Sequence, residues 1–476
     1  MHHFAAETTP RLLLIPEMIH RIFQLSSDEE NVAHACVCKA WNEEATRVIW
    51  HDVPAGHLFS LLAAMVSHRG EDRETYFSFS RAITEDDWDR FDRYSSKVHS
   101  LRFTQRFDPS VFKEIALGRR RLDFLPNLSA LFNAPATPLF AYPTIKRLFI
   151  DEVRPAGQVT CWLGLAERRI PGIEHISIKP QLYPNDDVLH TFTSLLRRTS
   201  LKKLDVPFGY LNDSNFFILA SMPNLERVST ARPFWIEDAD SFSVRSLSRL
   251  PTNPFQSLQE FSVHLDFEAA VAYITTFDSF LKLRVLKITS DAPEASNNYM
   301  ALLNIIALRC PVLKVLGLAR KSSSVSSTLG PTDSAFNHPN RQLEHVLQSL
   351  RHLESLSLQC FGVQGRFPLR HLPLFAHHSK SIKHLHLDID SELSSDNAIS
   401  PHVFSTLKTL HFGMYSNTIA EPTEVANFLS RILPPDCRIS ANSGSGERYD
   451  RLELVKLWVP ALVKARMEER NAIDKT

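Results

Sequence analysis

The residues whose types and spacing come nearest to doing chemistry are His384-Leu385-His386-Leu387-Asp388. Side chains alternate across an extended strand, so His384, His386 and Asp388 share one side, with His411 on the next strand, as a metal cluster would require. Three ligands in line along one strand converge poorly on a tetrahedron, and a half-exposed strand carries polar residues there in any case. No metal ligand is therefore assigned. Cys36 and Cys38, with His34 near, form the other cluster. On a helix the two thiols would point about 200° apart, which favours burial in helix packing. The chain has no GxSxG elbow, no GxxxxGK phosphate loop, no GxGxxG and no HExxH. No catalytic residue and no cofactor is expected.

Composition narrows the partners. Of 476 residues 43% are hydrophobic, enough for a packed core, and 53 Lys and Arg balance 53 Asp and Glu. No basic field exists to gather nucleic acid, so none is expected as a partner. Six cysteines (Cys36, Cys38, Cys161, Cys310, Cys360, Cys437) form no CxxC pair, which points to reduced thiols in the cytoplasm or nucleus. The apolar run Leu12 to Ile15 is too short for a secretory core, and no segment reaches the roughly 18 apolar residues of a membrane span. A soluble intracellular protein with no membrane partner is expected.

What would position the histidines is a repeated strand. The hexad apolar-x-x-apolar-x-apolar recurs at Val98–Phe103, Ile145–Ile150, Ile173–Ile178, Leu201–Val206, Leu258–Val263, Leu283–Ile288, Leu313–Leu318, Leu353–Leu358, Ile382–Leu387 and Leu407–Phe412, with weaker copies at Leu128–Asn133 and Leu225–Thr230. Their starts lie 17 to 40 residues apart, the spacing of a solenoid unit. The fourth and sixth residues of each point into a core, and the first turns inward just before the strand. Helical stretches such as Thr193–Arg198, Phe216–Ser221, Ala301–Arg309, Val346–Leu350 and Val425–Leu433 precede several copies. The unit is thus helix, turn, parallel strand.

This array resembles a leucine-rich-repeat horseshoe of the long, helix-containing kind. The family's asparagine or cysteine three positions past the hexad is absent, its places being Arg106, Val153, Gln181, Gly209, Asp266, Asp291 and Asp390. The repeats are accordingly irregular. Leu452 to Met467 reads as an apolar helix, interrupted at Pro460, that covers the last repeat. Ser290–Asn298 and Arg320–Arg341 read as polar loops, the second long enough to be disordered.

Ahead of the array, Ile15 to Val53 has a helical period. Pro16 suits a first helical position, and Ile15, Met18, Ile19, Ile22 and Phe23 form one stripe. Ser27 or Asp28 would cap a second helix carrying Val32, Ala35, Cys36 and Lys39, and a third, with Trp41, Ala45, Val48 and Ile49, would end near Trp50. Three helices in about 40 residues sit at the limit of a self-sufficient core, so surplus apolar surface should face another protein. From Gly56 to Lys97 a helical spacer is expected, with Leu58, Leu61, Leu62 and Met65 on one face and a capping box at Thr84-Glu85-Asp86-Asp87 before Trp88 and Phe91.

The run Ile15-Pro16-Glu17-Met18-Ile19-His20-Arg21-Ile22-Phe23-Gln24-Leu25, then Val37-Cys38-Lys39-Ala40-Trp41, then Ala45 and Val48-Ile49-Trp50-His51-Asp52-Val53, resembles an F-box. Ile15 and Ile49 stand where that family more often has leucine. The resemblance implies docking on a Skp-type adaptor, and through it a cullin and a RING subunit. Ile15, Pro16, Ile19, Ile22, Phe23, Leu25, Val37, Cys38, Trp41, Val48 and Trp50 are the implied adaptor contacts. Core packing is the competing reading for each, above all for Trp41 and Val37.

The strands' outward positions supply the other surface. Arg102, Arg147, Lys203 and Arg227, with Lys179 beside them, make the first half of these columns cationic, and His384, His386 and His411 are further candidates. An acidic or phosphorylated client segment would suit such a platform; the competing reading is a solvated polar face with binding by loops. The expected fold is α/β: a three-helix F-box (12–53), a helical linker (54–97), an irregular leucine-rich-repeat solenoid (98–442), and a capping helix with tail (443–476). The function implied by resemblance is non-catalytic substrate recognition in a Skp–cullin–F-box ubiquitin ligase. The alternative is a non-ligase scaffold or inhibitor that binds the adaptor without delivering a client.

Overall fold

The computed structural model describes residues 15–71, 73–150, 156–179, 184–231, 250–251, 253–290, 296–320, 340–359, 367–390, 402–413, 421–441 and 447–473. Positions 12–14 of the expected head, most of the two expected polar loops, positions 153, 181, 291 and 360, and the tail after 473 lie outside these. Pro16 and Glu17 open α1 (Pro16–Leu25), where proline leaves no amide unpaired and the acid meets the positive helix end. A full capping box opens α2 (Asp28–His34): the Glu30 amide donates to Ser27 Oγ at 3.3 Å and the Ser27 amide to Glu30 Oε2 at 2.8 Å. This helix closes at His34, so Cys36 falls in a turn and Cys38 takes the N-cap position of α3 (Lys39–His51). Both thiols are exposed. The expectation that they are buried in helix packing is therefore corrected, because a turn rather than a helix sets their direction.

The head's own core is small. Ile19, Phe23 and Ala45 are buried, with Ala35, Trp41 and Val48 packed on them. Phe23 stacks on His34 at 5.0 Å and meets Trp41 edge-on at 5.4 Å. Buried Asn31 donates from Nδ2 to the Phe23 carbonyl at 2.9 Å, tying α2 to the end of α1.

Two compact units divide the chain, Met1–Leu201 and Lys202–Thr476. In the first, α3 runs directly into β1 (Asp52–Pro54), followed by α4 (Ala55–Phe59). The stretch 54–97 is not wholly helical as expected. It folds an antiparallel hairpin, β2 (Met65–Arg69) with β3 (Thr75–Phe79), before α5 (Glu85–Ser95). The aromatic, β-favouring run Tyr76-Phe77-Ser78-Phe79 outweighs the helical spacing around Leu58, and Met65 begins a strand instead of ending a helix. The Thr84 capping box is present, the Asp87 carboxylate accepting from the Thr84 amide at 2.9 Å and hydroxyl at 2.7 Å. Then come β4 (Ser100–Arg102), β5 (Arg106–Phe107) paired with β3, α6 (Pro109–Gly118), β6 (Ala130–Phe132), β7 (Arg147–Ile150), α7 (Ala156–Arg169), β8 (His175–Ile178) and α8 (Asp186–Arg198). Strands β1, β4, β6, β7 and β8 are parallel neighbours in that order, with Leu101, Leu131, Leu148 and Ile176 on the buried face.

The second unit contains β9 (Lys203–Pro207), α9 (Asp213–Ala220), β10 (Arg227–Ala231), β11 (Glu260–His264), α10 (Phe267–Thr276), β12 (Val285–Ser290), α11 (Ser296–Arg309), β13 (Val315–Arg320), α12 (Asn340–Ser349), β14 (Ser355–Gln359), β15 (Phe367–Pro368), α13 (Leu372–His378), β16 (His384–Leu387), β17 (Ile389–Asp390), β18 (Thr409–Phe412), α14 (Pro422–Ile432), β19 (Arg438–Ala441) and α15 (Glu447–Ile473). Strands β9 to β14, then β16, β18 and β19, are parallel neighbours, and β15 with β17 forms a separate pair. Hexad lies on hexad: Arg227 opposite Lys203, Val285 opposite Val315, Ser355 opposite His384. Within each unit the carbonyl of the hexad's second residue commonly accepts two amides from the next repeat, as Lys202 does from Glu226 and Arg227, and Glu354 from Lys383 and His384. That backbone seam joins successive repeats without the missing side-chain ladder.

At the end, α15 is continuous through Pro460 rather than interrupted by it. Pro460 lies on the exposed side, where water can take the freed carbonyl, while Leu452, Val455, Val459 and Val463 are buried on the side that packs on α14. α11 begins at Ser296, inside a stretch expected to be loop. Both units are mixed α/β, with parallel strands and intervening helices that resemble a leucine-rich-repeat solenoid. Among the described residues, no helix is long and apolar enough to cross a membrane.

Candidate protein-docking surfaces

Packing divides the implied adaptor contacts. Ile19 and Phe23 are buried in the head core, and Trp41 and Val48 are half-buried against it. Along the neighbouring side of α1, Ile15, Met18, Ile22 and Leu25 follow the three-four-three spacing of a helix–helix seam, and all are exposed. Ile22 keeps 42% and Leu25 76% of its surface open. Pro16 is exposed at the start of the same helix, Val32 on α2, and Cys38 beside Val37. Val37, a core candidate in the competing reading, is 61% exposed at the turn.

Trp50 leaves the exposed set. Its ring is half-buried and stacked on Tyr94 of α5 at 4.6 Å. Nearby, Lys97 donates from Nζ to Thr46 Oγ1 at 2.6 Å and His51 stacks on His99 at 4.8 Å. Burial, and then the His51 ring, lower the proton affinity of His99. With β1 paired to β4, these contacts fix the end of α3 to the rest of the first unit.

Two of the four outward cations, Arg102 and Arg227, are neutralised by neighbouring carboxylates. Arg102 donates from Nε to Asp52 Oδ1 at 2.9 Å and pairs again through its terminal nitrogen. Arg227 Nε lies 3.2 Å from Asp205 and 3.3 Å from Glu260. Arg147 and Lys203 are exposed and have no ion pair among the described residues. Lys179 follows β8, its amide donating to the Ile150 carbonyl at 2.9 Å. Arg102, Arg147 and Lys179 belong to the first unit, and Lys203, Arg227, His384, His386 and His411 to the second.

The histidines hold one another and their neighbours' hydroxyls. The His386 and His411 rings are 4.0 Å apart, His384 Nδ1 is 2.8 Å from Thr409 Oγ1, and His411 Nδ1 is 2.8 Å from Ser440 Oγ. Burial, then His411, push His386 down to about 4. Asp388, expected on the outward side with His384, is buried instead, and the missing side chain of Gly413 makes room for its carboxylate. Among the described residues no three His, Cys, Asp or Glu are arranged to hold a metal ion.

One feature of the open face escapes the strong hexads. Phe132 and Phe149 stack face to face, 4.2 Å apart at 3°, with His175 edge-on to Phe149 at 4.8 Å and the Arg102 guanidinium 5.4 Å from the Phe132 ring centre. Phe132 is the fifth residue of the weak copy Leu128–Asn133, and setting that copy in register with Ile145–Ile150 puts the two rings side by side.

No protein-family model matches the chain, and no curated protein does. Among solved structures it is similar to the leucine-rich repeat-containing protein LegL7 from Legionella pneumophila, at 12% identity over 79% of this chain and 94% of that one, with a TM-score of 0.30. A likeness so loose adds nothing to what the paired strands establish themselves.

Proposed function

We propose that the chain is the client-recognition subunit of a Skp–cullin–F-box ubiquitin ligase, its head docking on a Skp-type adaptor and its repeats holding a client protein. The observation that carries this reading is α1: Ile15, Met18, Ile22 and Leu25 stay exposed in a seam beside a small head core in which, among the described residues, Ile19, Phe23 and Ala45 are buried and Ala35, Trp41 and Val48 pack on them. Such a stripe is costly in water and suits a groove between a partner's helices. In this reading the chain makes and breaks no bonds. It raises the effective concentration of a client lysine near the ligase's charged ubiquitin carrier.

Affinity purification of the intact chain and of an Ile22→Ser, Leu25→Ser variant tests it. Adaptor and cullin are expected with the intact chain and lost together from the variant, with other partners kept. Adaptor recovered without cullin would instead support a scaffold or inhibitor, and no adaptor at all would end the reading.

A further inference from the structure

We infer that the open face of the first unit's sheet carries a seat for an extended peptide presenting an aromatic side chain and, two residues away, a carboxylate. The registers place Arg102, Phe132 and Phe149 in one row across β4, β6 and β7, and Ala130, Arg147 and His175 in the adjacent row across β6, β7 and β8. Leu131 and Leu148 fill the opposite, buried face, so the two phenylalanines stand where the second unit has Ser229, Ser262, Lys287, Gly317 and Ser357. Two half-buried rings on a polar face are surplus to the core.

Their arrangement selects the occupant. Each ring covers one face of the other, the guanidinium lies against Phe132 and His175 against Phe149, so what the pair offers outward is ring edge. Ring edges carry the positive end of the aromatic quadrupole and attract the negative face of another ring. Arg147, exposed and without an ion pair among the described residues, supplies the second point of contact. It stands two residues from Phe149 on the same strand face, about 6.6 Å away by strand geometry, which is also the interval between alternate side chains of an extended ligand. Ring on Phe132 and Phe149 and carboxylate on Arg147 can therefore be met at once by an aromatic-x-acid segment.

This inference rests on the client-holding half of the proposed function and not on the adaptor. The test is selection of a random dodecapeptide display library on the intact chain, on Arg147→Glu and on Phe149→Leu, with capture of a purified Skp-type adaptor measured on the same three proteins. Enrichment of aromatic-x-acid peptides on the intact chain is expected, with about tenfold weaker binding of the selected peptides to Phe149→Leu. Arg147→Glu, which disturbs no ion pair among the described residues, is expected to switch selection to aromatic-x-base. Lack of enrichment, or the same enrichment on all three proteins, overturns the seat and leaves the rings as a brace between strands. Adaptor capture, carried by the head, is expected to be equal throughout; its loss from all three would strike the ligase reading alone.

Discussion

Replacing Ile22 and Leu25 by serine tests the division of α1 into a packed side and an open seam. Full burial of such a side chain is worth about 2.5 kcal/mol, so the 42% of Ile22 and 76% of Leu25 left open in the head correspond to about 1 and 2 kcal/mol gained when a partner covers them. Together about 3 kcal/mol would weaken the proposed adaptor complex by roughly 150-fold. Folding should lose about 2 kcal/mol or less, the share of the two side chains that the head already covers. Phe23→Ala is the converse: removing a buried ring flanked by His34 and Trp41 costs about 3 to 5 kcal/mol of stability. Titration calorimetry with a purified Skp-type adaptor, run beside thermal unfolding of each variant, gives both quantities. Binding of the double variant within threefold of the parent would refute the seam, and a melting loss as large as that of Phe23→Ala would show that these residues pack inside.

Three other outcomes follow from the packing. Asp87→Ala removes the acceptor shared by Thr84, Arg81 and Arg90, and should cost about 2 to 3 kcal/mol in urea unfolding of the first unit. His371 and His386 are each held near pKa 4, chiefly by burial. A neutral imidazole in the fold takes up a proton more readily once unfolded, so the stability due to these groups is whole above about pH 6.5 and falls as pH drops toward 4. The loss should be on the order of 2 kcal/mol for buried His371 and about 1 kcal/mol for His386, whose half-open ring water screens, read from urea midpoints at pH 7 and pH 5. Gly413→Ala would push a methyl into the Asp388 carboxylate and should cost about 2 to 3 kcal/mol, whereas Gly317→Ala, whose methyl meets the movable Lys287 stem at 3.2 Å, should cost under about 1 kcal/mol. Melting temperatures of the two glycine variants compare them directly.

The array is legible in the sequence because burial on one face imposes its own period, and every full hexad lies on a strand in the register its apolar positions require. Two flanking strands escape for identifiable reasons. Trp50-His51-Asp52-Val53-Pro54-Ala55 has the apolar spacing of a hexad and pairs Val53 with Leu101, but its first residues finish a helix and Pro54 argues against a strand. At β19 the leading apolar position is Asp436, so only Ile439 and Ala441 keep the pattern. The candidate surface is half legible. Spacing shows that α1 has an apolar stripe wider than one contact needs, yet whether Ile19 or Ile22 turns inward depends on the angle at which α1 meets α3, a tertiary quantity with no local signature. The Phe132–Phe149 stack depends likewise on which strands become neighbours.

The passage of α3 into β1 has a practical consequence for taking the molecule apart. Cutting between head and repeats after His51 or Val53 would strip β4 of its partner and leave a raw parallel edge open to association with other chains. Grafting the head onto a foreign body would likewise strand Trp50 and His51 without Tyr94 and His99. Variants that test the proposed adaptor docking are therefore better made by surface substitution than by truncation, and the head behaves as the first turn of the strand array rather than as a detachable tag.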